Sequence, residues 1–259
     1  MKRALCLGLL VALAWPVFAQ NGGTARSAID DSSQLIVVTT PNWDAVDGGL
    51  QRYQRSVPGQ PWSAVGKPVA IVVGQKGLGW GLGLVALDRL RGTDDPVKRE
   101  GDMKSPAGIF NLGSAFGFAA EAPGDWKMPY ITLTPSIDCV DDAQSNRYNT
   151  IADRSMVTPD WKSAEHMRSV GEAYRWGMVV DQNPAPAKKN GGSCVFMHVW
   201  SGVGHGTAGC TAMPQERIEA ILGWLNPAAH PLLVQMPVGQ YLDARESLHL
   251  PALSGGTSH

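Results

Sequence analysis

The stretch 191–213, GGSCVFMHVWSGVGHGTAGCTAM, decides how this chain is read. Its first part alternates. If residues 194–200 form a strand, Cys194, Phe196, His198 and Trp200 share one face, because successive side chains alternate. Val195, Met197 and Val199 then point the other way, into a core. The loop 201–209 holds Gly202, Gly204, Gly206 and Gly209, enough to turn sharply and bring backbone amides close to a ligand. Cys210 is delivered at its end. A histidine on a rigid strand facing a cysteine on a tight turn is what a thiolate nucleophile requires.

Composition limits the classes open to such a site. The chain has 259 residues, 44% hydrophobic and 17% charged, with a net charge of -1, which fits one ordinary globular domain with short appendages. There is no basic stripe interleaved with aromatics, so a nucleic-acid partner is not expected. The first residues read as an export signal. Lys2 and Arg3 precede an apolar run from Ala4 to Val17, and Val17, Phe18 and Ala19 fit a small-residue cleavage site. The run is too short for a membrane span. Residues 1–19 are therefore expected to be removed, leaving 20 basic against 23 acidic side chains and no membrane span. The expected destination is the periplasm of a Gram-negative bacterium.

Export changes the cysteine arithmetic. Cys6 leaves with the signal, and Cys139, Cys194 and Cys210 remain, an odd number in an oxidising compartment. A Cys139–Cys194 disulfide with Cys210 free is the economical reading. Three reduced cysteines is the alternative.

Residues 20–33 are polar and read as a mobile leader. Strands are expected at 34–40 (QLIVVTT), 50–56, 68–74 and 174–181, and a short one at the end of 98–112. GLGWGLGL at 77–84 resembles a phosphate loop only superficially, because no Lys-Ser/Thr follows, and it reads as a bulged hairpin. Ile218, Ile221, Leu222 and Leu225 lie on one helical face after Pro214, and Asn226-Pro227 stops that helix before a closing strand at 231–237. Many strands and few helices give an α+β, mainly β, single domain over 34–245, with a tail at 246–259.

At this point two separated motifs resemble the L,D-transpeptidases of bacterial peptidoglycan (the YkuD-type catalytic domain). That family carries a histidine on a strand, a glycine-containing loop and then Ser/Thr-His-Gly-Cys. Here His198, Thr207, Gly209 and Cys210 match. EGDMKSPAGIF at 100–110 is similar to the family's Gly-Asp-x-x-Thr-Pro-x-Gly-x-Phe, with Ser105 in the threonine place. The chain departs from the pattern at Ala208, where the family has histidine, at Ala212, where it has a basic or amide residue, and in a shorter loop. His205 is the ring available to replace the missing one.

The resemblance implies a catalytic domain with a mixed β-sandwich core, acting on the tetrapeptide stems of peptidoglycan. Cys210 would form a thioester by releasing D-alanine, and an amine or water would then take the acyl group. It implies His198 as the partner of Cys210 and the amides of Gly209 and Ala208 as an oxyanion hole; His205, Thr207, Trp200 and Arg154 are candidate substrate contacts, Arg154 because Arg147, Tyr148, Asp153 and Arg154 could line a pocket for a charged peptide. No cofactor or metal is required. Three alternatives stand beside it: a metal site on His198, His205 and Cys210; a hydrolase of the same fold (carboxypeptidase or amidase); and a non-catalytic stem-binding module.

Overall fold

The computed structural model describes residues 25–84 and 87–253; the expected export signal lies outside them. Strand exceeds helix, 33% against 16%, so the α+β, mainly β class holds. The strands are β1 (Gln34–Thr40), β2 (Asp47–Gln54), β3 (Ser63–Val72), β4 (Leu78–Trp80), β5 (Ser105–Gly117), β6 (Tyr130–Thr132), β7 (Ile137–Cys139), β8 (Ile151–Asp153), β9 (Glu165–His166), β10 (Trp176–Val180), β11 (Phe196–Val199), β12 (Thr211–Met213) and β13 (Leu232–Pro237). The helices are α1 (Ala25–Asp31), α2 (Gln215–Trp224) and α3 (Val238–Arg245).

Eight of the strands close a barrel rather than stacking as the expected sandwich. The hydrogen-bonded order runs β10-β11-β12-β3-β2-β1-β13-β5, and β5 pairs again with β10. The length of β5 makes closure possible. Its residues 108–111 pair with β13, and the same strand continues to pair Leu112 and residues 115–117 with β10. The sequence suggested only a short strand here. Closure leaves these strands without free edges.

The apolar runs explain the centre. β1 is β-branched and almost wholly buried, parallel to β13 on one side and antiparallel to β2 on the other. α3 packs on β1 and β13, and α2 on β10 and β11. Ile218, Ile221, Leu222 and Leu225, the predicted face, are all at most 1% exposed. Gln235, also buried, crosses the interior: it accepts from Thr211 Oγ1 at 2.7 Å and donates to the Pro106 carbonyl at 2.7 Å. It thereby ties β12, β5 and β13 together with every polar atom of its amide used.

Three local expectations change. The glycine stretch at 77–84 is no hairpin. Gly77 does close a tight turn onto Gly74, but Leu78–Trp80 runs parallel to β5. Gly77 has φ +72° and a Cβ there would fall 1.9 Å from the Trp43 carbonyl oxygen, so only glycine fits. Within the described residues, 25–33 of the expected leader carry α1, and the Arg55 guanidinium hydrogen-bonds the carbonyls of Ile29, Asp30 and Ser32 there, while 20–24 lie outside the described residues. The tail is docked as far as it is described: Leu248 and Leu250 are buried, and Tyr53 and Tyr241 donate to the carbonyls of Ala252 and Pro251.

A second, smaller layer lies outside the barrel. Strands β8-β7-β9 form a three-stranded antiparallel sheet. Met167 and Tyr174, from the short helical segment Met167–Tyr174, join Cys139, Ile137, Phe116 and Phe196 in a separate apolar cluster. Val195 and Met197 belong to the barrel core instead. β11 thus splits into two faces, as its alternation predicted, and both are buried, although Cys194 itself precedes the strand with φ +52°.

Candidate active site

Cys210 is set between barrel and outer layer by the turn before β12. Thr207 anchors the turn. Its backbone pairs with the segment after β3 (Thr207 N–H to the Val73 carbonyl at 2.9 Å, Gln75 N–H to the Thr207 carbonyl at 2.8 Å). Its hydroxyl donates to the Cys210 carbonyl at 2.6 Å and accepts from the Gly209 N–H at 3.1 Å. Gly209 takes φ +155°, and a Cβ there would press on the Lys104 carbonyl at 3.1 Å. The buried Ser105 hydroxyl donates to the same Cys210 carbonyl at 2.8 Å and accepts from the Gly74 N–H at 2.9 Å. The two motifs that were singled out in the sequence, 100–110 and 191–213, therefore meet at the backbone of Cys210.

The thiol faces the outer layer and is 7% exposed. The Phe196 N–H points at Sγ from 3.3 Å, and Sγ lies 3.6 Å from the Cys194 carbonyl oxygen. Beside it, the Tyr174 hydroxyl donates to Glu165 Oε2 at 2.6 Å. Burial pushes the Cys210 thiol up to about 12, and the Glu165 charge adds to the shift. The Phe196 amide, Lys98 and the Tyr174 hydroxyl act in the opposite sense. Lys98 is itself buried, paired with Asp102 at 2.6 Å. Glu165 is held above the usual carboxylate range, first by burial and then by the neighbouring charges of Asp141 and Glu100.

His198 is close by but bonded elsewhere. Its ring sits edge-on to Tyr174, centroids 5.3 Å apart. Nδ1 is 2.8 Å from the carbonyl of Val199, so the N–H sits on Nδ1 and Nε2 is the unprotonated nitrogen. Among the described residues it forms no hydrogen bond with Cys210. Burial lowers His198 to about 4, with the Val199 bond opposing. Both shifts favour the neutral thiol and the neutral imidazole in the resting site. The reason is desolvation: Phe116, Phe196 and Met167 surround the space, and charging both groups there costs more than their attraction returns.

The other predicted residues divide. Cys139 and Cys194 are joined by a disulfide, leaving Cys210 the free cysteine among the described residues. The Gly209 amide is taken by Thr207, which removes it from the oxyanion hole; the amides of Ala208 and Cys210 enter no turn or cap hydrogen bond among the described residues. His205 is exposed in the loop and does not replace the missing ring. Trp200 is half-buried, its amide bonded to the Met213 carbonyl at 2.8 Å. Arg154 is committed elsewhere, its Nε 2.9 Å from Asp138 Oδ2 and its Nη2 on the Pro135 carbonyl. His198, His205 and Cys210 make no metal site, since no three His, Cys, Asp or Glu side chains group around an ion position among the described residues.

Tyr174, Glu165 and Lys98 are the site residues that sequence reasoning missed. Tyr174 had a weak signal, as the polar-tipped first residue of the expected strand 174–181. Glu165 had none, lying in a polar run. Glu100, inside the second motif, anchors the rim by accepting from the Tyr148 hydroxyl and from Ser193 Oγ. A separate cavity of about 420 Å³, lined among others by Trp80, Leu87, Arg91 and Pro184, includes neither Cys210 nor His198. No helix among the described residues is long and apolar enough to cross a membrane. No protein-family model, curated protein or solved structure matches the chain.

Proposed function

We propose that the chain is a cysteine-dependent acyl-transfer enzyme of the L,D-transpeptidase type, exported to the periplasm and acting on peptidoglycan tetrapeptide stems. One observation carries this reading. The carbonyl of Cys210 is gripped at once by Thr207 from its own motif and by Ser105 from the other, at 2.6 and 2.8 Å, which fixes a thiol at a defined point. A merely structural cysteine needs no such double clamp. In the reaction, Sγ attacks the carbonyl between the stem's third residue and its terminal D-alanine, D-alanine departs, and the thioester passes to an amine of another stem or to water. Oxygen charge developing in that step would be met by the amides of Cys210 and Ala208; removing one such donor typically costs on the order of 10²–10³ in rate.

A second reading is favoured by the burial of the site. A thiol pushed up to about 12 and a histidine held near 4 describe a resting pair with no nucleophile, as a stem-binding module without catalysis would have. The experiment is mass spectrometry of purified disaccharide-tetrapeptides incubated with the mature chain and with Cys210→Ala. D-alanine release with cross-linked dimers, seen only with the unmodified chain, is the expected result. Tripeptide without dimers makes the enzyme a carboxypeptidase. Unchanged stems, with both proteins folded, leave the binding module.

A further inference from the structure

We infer that the Lys98 ammonium is a further catalytic group: it meets the oxygen charge that develops over the Cys210 turn, in place of the Gly209 amide that Thr207 has taken. The inference rests on the acyl-transfer reading of Cys210 but not on which acyl group is transferred. Geometry carries it. A Cβ built on Gly209, the residue before the nucleophile, would lie 3.6 Å from Lys98 Nζ. The ammonium therefore stands in the space that a side chain at 209 would fill. Its alkyl chain reaches that point along Gly192, near the start of the stretch 191–213. A Cβ on Gly192 would meet Lys98 Cε at 3.0 Å and Cγ at 3.2 Å. Two glycines of the stretch thus make room for one lysine, and the lysine comes from the segment that also supplies Ser105.

Lys98 is placed as a donor. Its side chain is 4% exposed, and a buried ammonium is costly unless its N–H groups are paired. Two of the three are: one donates to Asp102 Oδ1 at 2.6 Å and one to the Arg99 carbonyl at 2.8 Å. The third has no acceptor among the described residues. Asp102 is held in turn by the N–H groups of Arg99 and Lys104, at 2.6 and 2.9 Å, so the ammonium is fixed before any substrate arrives. The end of the pair that faces Gly209 is the ammonium, not the carboxylate. A pair that is neutral at rest thus presents its positive end where negative charge forms, with no reorganisation during the reaction. In the transfer, Sγ bonds the acyl carbon and the carbonyl electron pair moves onto oxygen, facing Lys98. That pair then returns, the C–N bond breaks, and the thiol proton ends on the departing nitrogen. Lys98 keeps its three protons throughout, and Asp102 is a positioning residue.

The test compares two reactions of Cys210, at one pH, in the folded chain without residues 1–19. Alkylation by iodoacetamide expels iodide and forms no oxyanion. Acylation by p-nitrophenyl acetate passes through an oxyanion and releases p-nitrophenolate. Both need the thiolate, so the ratio of acylation to alkylation cancels any change in thiol ionisation. Lys98→Met should lower that ratio on the order of 10²–10³-fold, the usual cost of one lost oxyanion donor. If Lys98→Met does not fold, Asp102→Asn gives the same reading: it keeps the ammonium, removes its anchor and should lower the ratio about tenfold. An unchanged ratio in the folded variant, even with both rates reduced, overturns the inference, because a merely structural or charge-setting lysine affects both reactions alike. An unmodified chain that alkylates but does not acylate overturns it equally. A ratio that falls in a protein that leaves tetrapeptide stems untouched upholds Lys98 and fails the stem-cleaving reading. Stems cleaved with the ratio unchanged do the reverse, so the two are separable.

Discussion

The two faces of β11 are built on different principles. Met197 and Val195 point into a barrel whose strands, seven residues in β1 and six in β13, are buried almost end to end. Phe196 and His198 point into a layer whose strands have three, three and two residues. The barrel holds itself by area and by closed pairing. The outer layer has too little of either, and is fastened by covalent and polar links instead: the Cys139–Cys194 disulfide, and the Asn149 side chain, which receives the Cys194 N–H at 3.0 Å and donates to the carbonyls of Gln182 and Asn183. The thiol lies at the seam. The free thiol thus sits where a rigid wall meets a cover held on by staples.

The sharpest way to break this contrast is to cut the covalent staple. The disulfide closes 55 residues, a loop for which cross-linking contributes about 4 kcal/mol in the chain-entropy account. Cys139→Ser with Cys194→Ser should lower stability by about that amount in urea unfolding. The loss should be uneven: hydrogen exchange should rise across β7 to β9 and hardly at all in β1 and β13. Equal loosening of both regions would mean that the layers are one cooperative unit. The chain without residues 1–19, denatured without reductant, should titrate as one thiol and as three after reduction.

Acid should act on the seam next. His198 is lowered from its ordinary 6.5 to about 4, so the unfolded chain takes up this proton first as pH falls. The corresponding stability is complete above about pH 6.5 and is lost as pH drops toward 4, about 3 kcal/mol in all at roughly 1.4 kcal/mol per pH unit. His198→Gln should flatten that part of the profile in urea titrations at a series of pH values. An unchanged slope would show that another group is responsible.

The clamp on Cys210 comes third. Ser105→Ala removes the acceptor of the Gly74 N–H and one of two donors to the Cys210 carbonyl, both buried. It should cost about 1–3 kcal/mol, the usual penalty for a buried polar group left without its partner. If Cys210 is the nucleophile, D-alanine release should fall more than stability explains at temperatures where the variant is folded.

How much of this was legible depended on the kind of signal. The barrel strands and α2 announce themselves because burial imposes a period: QLIVVTT, the alternation of 195–199, and Ile218, Ile221 and Leu222 are local patterns with one reading. The nucleophile candidate was legible for the same reason, since glycines followed by cysteine are contiguous. Closure into a barrel was not, because it depends on β5 running on past Leu112 to meet β10, a pairing with no local mark. The groups that actually surround the thiol were illegible too. Glu165 and Tyr174 come from one segment, Lys98 from another, and only the tertiary fold places them beside Cys210. His198 shows the same limit: the sequence indicates which face of a strand a ring occupies, but not that its N–H bonds to Val199.

The smallest expected effect tests the turn against its own loop. His205 and Thr207 lie two residues apart, and both looked like substrate contacts in the sequence. The structure separates them completely. His205 is exposed, on a loop fastened mainly by the Gly204 N–H to Asp47 at 2.9 Å, while Thr207 bonds both the Gly209 amide and the Cys210 carbonyl. His205→Ala should therefore change stability by less than about 0.5 kcal/mol, as is usual for exposed positions without special contacts, and leave the alkylation rate of Cys210 unaltered. Thr207→Val keeps the shape but loses both bonds, and should change both measurements. If His205→Ala instead slows alkylation as Thr207→Val does, the loop reaches the thiol in solution, and the seam is less closed than its 7% exposure of Cys210 implies.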